Sequence, residues 1–156
     1  MIAESDSDEW DFVCRPHWTP IFAYVAAVLI ILAHVGGGLA LKIGSSGVVF
    51  RTADQVAIAL LGVVLAGVVL LLTRSRLRVG PRGVSVRNTV GERLVPWADL
   101  VGVSFPVGSR WARVDLPDDE YLPVLAIQAV DKDLAVESMD ELRALVARYR
   151  PDLDAR

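Results

Sequence analysis

The sequence predicts an α+β membrane protein: a two-helix transmembrane hairpin, then a small antiparallel β-barrel or sandwich capped by a C-terminal amphipathic helix. Three observations carry this. Two apolar runs, PIFAYVAAVLIILAHVGGGLAL over 20–41 and QVAIALLGVVLAGVVLLL over 55–72, are each long enough for a helix to cross a hydrocarbon core of about 30 Å. From Leu77 onward the pattern changes to short alternating segments bounded by Gly and Pro turns, the period of half-buried strands. After Asp131, Ala135, Met139, Leu142, Val146 and Tyr149 recur at i+3/i+4 until Pro151 stops the run, which describes one helix with an apolar stripe.

Size and charge bound what such a chain can be. With 156 residues, a mean hydropathy of +0.44 and 53% apolar residues, the bilayer segments leave room for one small domain. The net charge of -3 conceals a strong local bias. Residues 1–17 hold five acids against Arg15, whereas residues 74–93 hold six arginines and only Glu92. Cys14 is the single cysteine, so neither an intramolecular disulfide nor a cysteine-based metal cluster is expected. The acidic stretch ESDSDEWDFV before it is unlike a lipoprotein or cleaved signal sequence, which needs a basic start and an apolar run.

The organisation follows in order. Residues 1–17 form an acidic cytoplasmic tail, and residues 18–73 form the hairpin with an external loop over 42–54. That loop holds only Lys42 and Arg51, while Arg15 and the arginines after the second run flank the other side. The imbalance places both termini in the cytoplasm and the chain in the inner membrane as a multi-pass protein. Trp18, Phe22 and Tyr24 fit an aromatic belt at the same interface.

Residues 77–150 form the cytoplasmic domain and 151–156 a tail. Its first strands flank the Gly80-Pro81-Arg82-Gly83 turn, and about six strands are expected in all. Alternation sets Val84 and Val86 against Ser85 and Arg87, and Val101, Val103 and Phe105 against Gly102 and Ser104. A single helical turn is expected at 97–100, and Asp131 to Asp133 are expected to cap the terminal helix.

Strands capped by one C-terminal helix follow the order of a pleckstrin-homology (PH) fold, and the motifs sharpen the likeness. The stretch from Arg76 to Asp131 resembles the bacterial PH-like domains of actinobacterial membrane proteins. It is similar to the mycobacterial low-molecular-weight antigen family, in which a GV-x-VR strand, a VPW-x-D-(L/I) segment and a (G)SRWAR strand follow a two-helix hairpin. Matching positions are Gly83, Val84, Val86 and Arg87; Pro96, Trp97, Asp99 and Leu100; and Ser109 to Arg113, with the likeness covering roughly residues 20–148. The resemblance implies a membrane-tethered interaction module with no catalytic residue. Lipid-binding eukaryotic PH domains are longer and carry a basic loop between their first two strands, which this chain lacks, so no inositol-phosphate site is implied.

Each candidate site has a structural reading beside its functional one. Arg74, Arg76, Arg78, Arg82 and Arg87 are candidates for lipid headgroups, or else set topology alone. In an extended chain Arg74, Arg76 and Arg78 would project from one face, away from Leu77 and Val79. His34 lies inside the first run, where an ionisable group suggests a proton relay or a partner contact. A packing role suits it equally, with His34, Gly37, Gly62 and Ala66 forming the helix-packing surface and the imidazole bonding the second helix. Trp97, Trp111, Phe105 and Leu142 are expected in the domain core. Asp118, Asp119 and Glu120 read as a solvated hairpin tip, lacking a calcium-loop pattern.

No nucleophile elbow, P-loop, HExxH or dinucleotide fingerprint occurs, and His17 and His34 are the only histidines. The expectation is therefore no enzyme, no catalytic residue, no cofactor and no metal. Expected partners are membrane lipids and an unidentified membrane or cytoplasmic protein, with a homo-oligomer formed through strand edges as a further expectation and no nucleic acid.

Overall fold

A computed structural model describes residues 10–43 and 51–153. The described chain divides into two compact units, residues 19–73 and residues 10–18 with 74–153.

In the first unit, helix α1 spans Trp18–Ile43 and helix α2 spans Thr52–Leu70, with a 3-10 turn continuing over Leu71–Arg74. Both helices are long and apolar enough to cross a membrane. At 1.5 Å per residue, the 26 residues of α1 reach about 39 Å. Each helix starts two to three residues earlier than its apolar run, because the flanking polar residues can cap and continue a helix. At the start of α2 the Arg51 N–H donates to the Asp54 carboxylate at 2.9 Å, placing an acid in the first turn where the helix dipole favours it. Most of the loop expected over 42–54 lies outside the described residues.

The buried positions of α1 and α2 are all small: Ala23, Ala27, Gly38, Gly62 and Ala66. That is the composition that lets two backbones approach where the hydrophobic effect gives no drive between helices.

The second unit is two antiparallel sheets and a helix. Strands β1 (Phe12–Cys14), β2 (Arg76–Gly80), β3 (Gly83–Arg87) and β4 (Glu92–Val95) form one sheet in that order. Strands β5 (Gly102–Ser104), β6 (Trp111–Asp115) and β7 (Tyr121–Gln128) form the other. The sheets do not close into a barrel. They enclose a core of Leu77, Val79, Val84, Val86, Leu100, Val114, Val124 and Ile127, all at most 2% exposed.

Helix α3 (Asp133–Tyr149) covers this core with Ala135, Met139, Leu142, Leu145 and Val146. One face of the strands and one stripe of the helix are thus removed from water together.

Three expectations are corrected. Residues 12–14 are strand rather than tail: Phe12 pairs with Val79, Val13 with Arg78 and Cys14 with Leu77. Three residues are too few to show a period, and only the unpaired edge of β2 makes them a strand. Asp131 does not cap α3; it is 7% exposed and accepts from the His17 and Trp18 N–H groups at 3.3 and 3.0 Å. Lys132, at a φ of 48°, precedes α3 instead, while Asp133 lies in the first turn as expected. Finally, β5 begins at Gly102, and Val101 is 50% exposed rather than inward.

Candidate functional site: the arginine face of the first sheet

The outer face of the first sheet follows from strand parity. Leu77 and Val79 turn inward, so Arg76 and Arg78 turn outward; Arg78 lies across from Val13 on one side and Ser85 on the other. Ser85 is in turn paired with Leu94, and Arg87 with Glu92. Trp10, just ahead of β1, lies over this face with the guanidinium groups of Arg78 and Arg82 each 5.6 Å from its ring, within cation–π range.

The result is a cleft of about 430 Å³ lined by Trp10, Arg76, Arg78, Arg82, Ser85, Glu92 and Leu94. Among the described residues, Glu92 is its only acid. Its carboxylate accepts from the Ser85 hydroxyl at 2.7 Å and lies 3.6 Å from Arg76.

Of the arginines singled out in the sequence, the structure brings Arg76, Arg78 and Arg82 to this cleft. Arg74 lies in the 3-10 turn and, with Arg87, lines a neighbouring cleft formed by Thr89, Val90, Gly91 and Glu92. Arg78 does not project freely, as extended-chain geometry suggested. It is 7% exposed because β1 pairs alongside β2 and carries Trp10 over it.

The motif residues act differently. Gly83 has a φ of 137°, and a Cβ there would stand 2.1 Å from the Val95 carbonyl oxygen, so the turn into β3 accepts only glycine. Trp97 donates its indole N–H to the Gly80 carbonyl at 3.0 Å and stacks on Tyr149 at 4.7 Å. Arg150 donates to the carbonyls of Trp97 and Leu100. The VPW-x-D-L segment therefore ties the β2–β3 turn to the end of α3. It holds the fold rather than a ligand.

Asn88 does similar work between the sheets, donating to the Pro123 carbonyl at 2.8 Å and accepting from the Leu125 N–H at 3.2 Å. In the SRWAR segment Arg113 donates to Ser104 and pairs with Asp115 at 2.8 Å, while its guanidinium lies 5.4 Å from the Tyr121 ring.

Among the expected core residues, Leu142 is fully buried, and Trp97 and Phe105 are partly buried against the core. Trp111 is a correction: it is 39% exposed. Ala112 and Val114 face inward, so alternation along β6 turns Trp111 to the outer face, beside the register shift between Trp111 and Ala112.

In the helical pair, a Cβ on Gly62 would lie 2.7 Å from the His34 Cβ, so the imidazole sits directly on that glycine. The His34 ring bonds the Ile30 carbonyl of its own helix at 2.7 Å rather than the second helix. Gly37 faces open space; Gly38 is the glycine beside Gln55 and Ile58, and its carbonyl accepts from the Gln55 amide at 3.0 Å.

Cys14 is buried, with its thiol 3.3 Å from the Ser138 hydroxyl. Burial pushes the thiol up from its ordinary value of 9.0, partly offset by the Ser138 hydrogen bond and reinforced by the nearby Asp131 charge. Among the described residues no group of three or more His, Cys, Asp or Glu side chains could hold a metal ion.

Comparison with known proteins agrees with this architecture. Residues 74–145 match the bacterial PH domain model. Proteins of Mycobacterium tuberculosis (strain ATCC 25618 / H37Rv) and Mycobacterium bovis (strain ATCC BAA-935 / AF2122/97), each described as uncharacterized, are 69% identical over 149 residues, spanning 96% of this chain and 97% of theirs. Low molecular weight protein antigen 6 of Mycobacterium tuberculosis is 43% identical over 56 residues, 36% of this chain and 49% of that protein. No solved structure matches the chain. With near full-length identity to these relatives and the PH match lying just after two apolar helices, the chain belongs to the mycobacterial family of two-helix proteins carrying a bacterial PH domain.

Proposed function

We propose that this protein is a non-catalytic, membrane-anchored interaction module that holds a protein partner at the cytoplasmic face of the inner membrane. The observation that carries the reading is the outer side of β5. It is the terminal strand of its sheet, only three residues long, and beyond Phe105 opens an apolar groove floored by Ala135, Val136 and Met139 and rimmed by Lys132, Asp133, Asp140 and Arg143. A strand edge beside such a groove suits an extended segment, which adds backbone hydrogen bonds at the edge and side chains in the groove.

A photo-crosslinking residue at Val103 or Val136, in the full-length protein within native membranes, should give a discrete protein adduct. The same residue at Asp119, on the β6–β7 hairpin tip, should not. Equal adducts at all three positions would remove the assignment.

A second reading, headgroup contact, is favoured by the gathering of Arg76, Arg78 and Arg82 into one cleft. The close seat of His34 on Gly62 supports packing over proton handling for that residue.

A further inference from the structure

The turn between β3 and β4 holds an apolar side chain out of the fold. Val90 is 92% exposed, yet the turn that carries it is tied down at its base. The Asn88 N–H donates to the Gly91 carbonyl at 2.9 Å, and the Asn88 side chain bonds the backbone of Pro123 and Leu125 in β7. A single exposed valine is common on protein surfaces and means little alone. What surrounds this one is more specific.

Two clefts meet at the turn and share Thr89, Val90 and Gly91. One, of about 210 Å³, contains Arg74 and Arg87, and the other contains Arg93. Among the described residues no ion pair involves any of these three arginines, and Arg74 and Arg93 are exposed. Glu92, the acid both clefts share, is already engaged by the Ser85 hydroxyl and by Arg76. Arg74 is bonded to Thr73, the last residue of the helical unit. With α2 across a bilayer, a cleft that contains Arg74 therefore begins at the headgroups.

We propose that the β3–β4 turn docks on the anionic membrane surface, with a lipid phosphate held between Arg74 and Arg87 and Val90 inserted among the upper acyl segments. Guanidinium groups match phosphate oxygens in charge and geometry, and basic residues close to anionic headgroups are drawn to them. An apolar side chain projecting between such residues gains by leaving water for the acyl boundary. The proposal rests on the hairpin lying in the bilayer and is independent of a protein partner at β5.

The experiment uses the full-length protein with Cys14→Ala, reconstituted in nanodiscs, and one introduced cysteine carrying a fluorophore. Gly91→Cys reports the turn while leaving Val90 in place. Ala98→Cys, exposed beside Trp97, whose indole bonds the Gly80 carbonyl at the far end of β2, is the distant control. Val64→Cys reports α2 itself. Lipids with a quencher high or low on the acyl chain measure depth. In mixtures of phosphatidylglycerol and phosphatidylcholine, the label at Gly91 should be quenched by the shallow probe, that at Val64 by the deep probe, and that at Ala98 by neither. Arg74→Gln and Arg87→Gln should each shift the docked-to-free ratio of the turn roughly fivefold toward free. Val90→Asp, or phosphatidylcholine alone, should also lower quenching at Gly91, with Val64 unchanged in every case.

Quenching at Val64 without quenching at Gly91 overturns the docking and leaves the hairpin standing. Absence of quenching at Val64 removes the hairpin and the docking with it. Quenching at Gly91 that ignores Val90, both arginines and phosphatidylglycerol, or that is matched at Ala98, also overturns the proposal.

Discussion

At the scale of single residues, the positions that matter most are those whose backbone or side chain has one admissible solution. Gly83 is the clearest. Its positive φ and the 2.1 Å approach of the Val95 carbonyl to any Cβ mean that Gly83→Ala must displace β4 from β3. The cost should be at least about 2 kcal/mol, combining backbone strain with overpacking, and would be read as a lowered denaturation midpoint. A substitution at Gly91, where a Cβ meets open space, serves as the neutral control.

Cys14 gives a pH signature. Its thiol is raised above 9.0 by burial, so the folded chain keeps its proton longer than the unfolded chain does. The contribution is fully present below pH 9.0 and is lost as the pH climbs from there through the folded value. Wild-type stability should therefore fall more steeply above that pH than the stability of Cys14→Ala, as measured by chemical denaturation of both proteins at matched pH. Parallel curves would show that the thiol does not titrate within the core.

Among the elements, α3 decides whether the two sheets share a core. Its stripe was readable from the i+3/i+4 recurrence, and the structure buries Ala135, Met139, Leu142, Leu145 and Val146 on one side while Val136 is 62% exposed on the other. An unpaired charge at a buried position costs several kcal/mol, comparable with the whole stability of a small domain. Leu142→Asp should therefore abolish the cooperative unfolding transition of the PH-like unit, and Val136→Asp on the same helix should leave it in place. Loss of the transition in both variants would assign the effect to helix propensity rather than to burial.

For the whole molecule, the testable quantity is topology. The bias of arginines toward the segments flanking the hairpin predicts that both termini lie in the cytoplasm. In a Cys14→Ala background, cysteine at Ser45, in the part of the loop outside the described residues, should react with a membrane-impermeant maleimide in intact cells. Cysteine near Arg156 should react only after lysis. Reaction at Arg156 in intact cells would place the C-terminus outside and overturn this topology.

The sequence by itself determined what depends on local periodicity. The two apolar runs, the β2–β3 turn at Gly80-Pro81-Arg82-Gly83, the order of six later strands and the stripe of α3 are each written in consecutive or regularly spaced residues, and all appear in the structure. What the tertiary structure alone decided depends on partners far along the chain. Three leader residues become β1 only because β2 offers them an edge 65 positions away, as in the pair of Val13 with Arg78. That pairing brings Trp10 onto Arg78 and Arg82 and gathers part of a basic run into one cleft. Asp131 is drawn from a helix start to the N–H groups of His17 and Trp18, and Asn88 bridges to β7, by the same means. Trp111 is exposed because Ala112 and Val114 are the inward positions of β6, and which parity of a strand faces the core is settled by how the sheets and helix pack rather than within one strand.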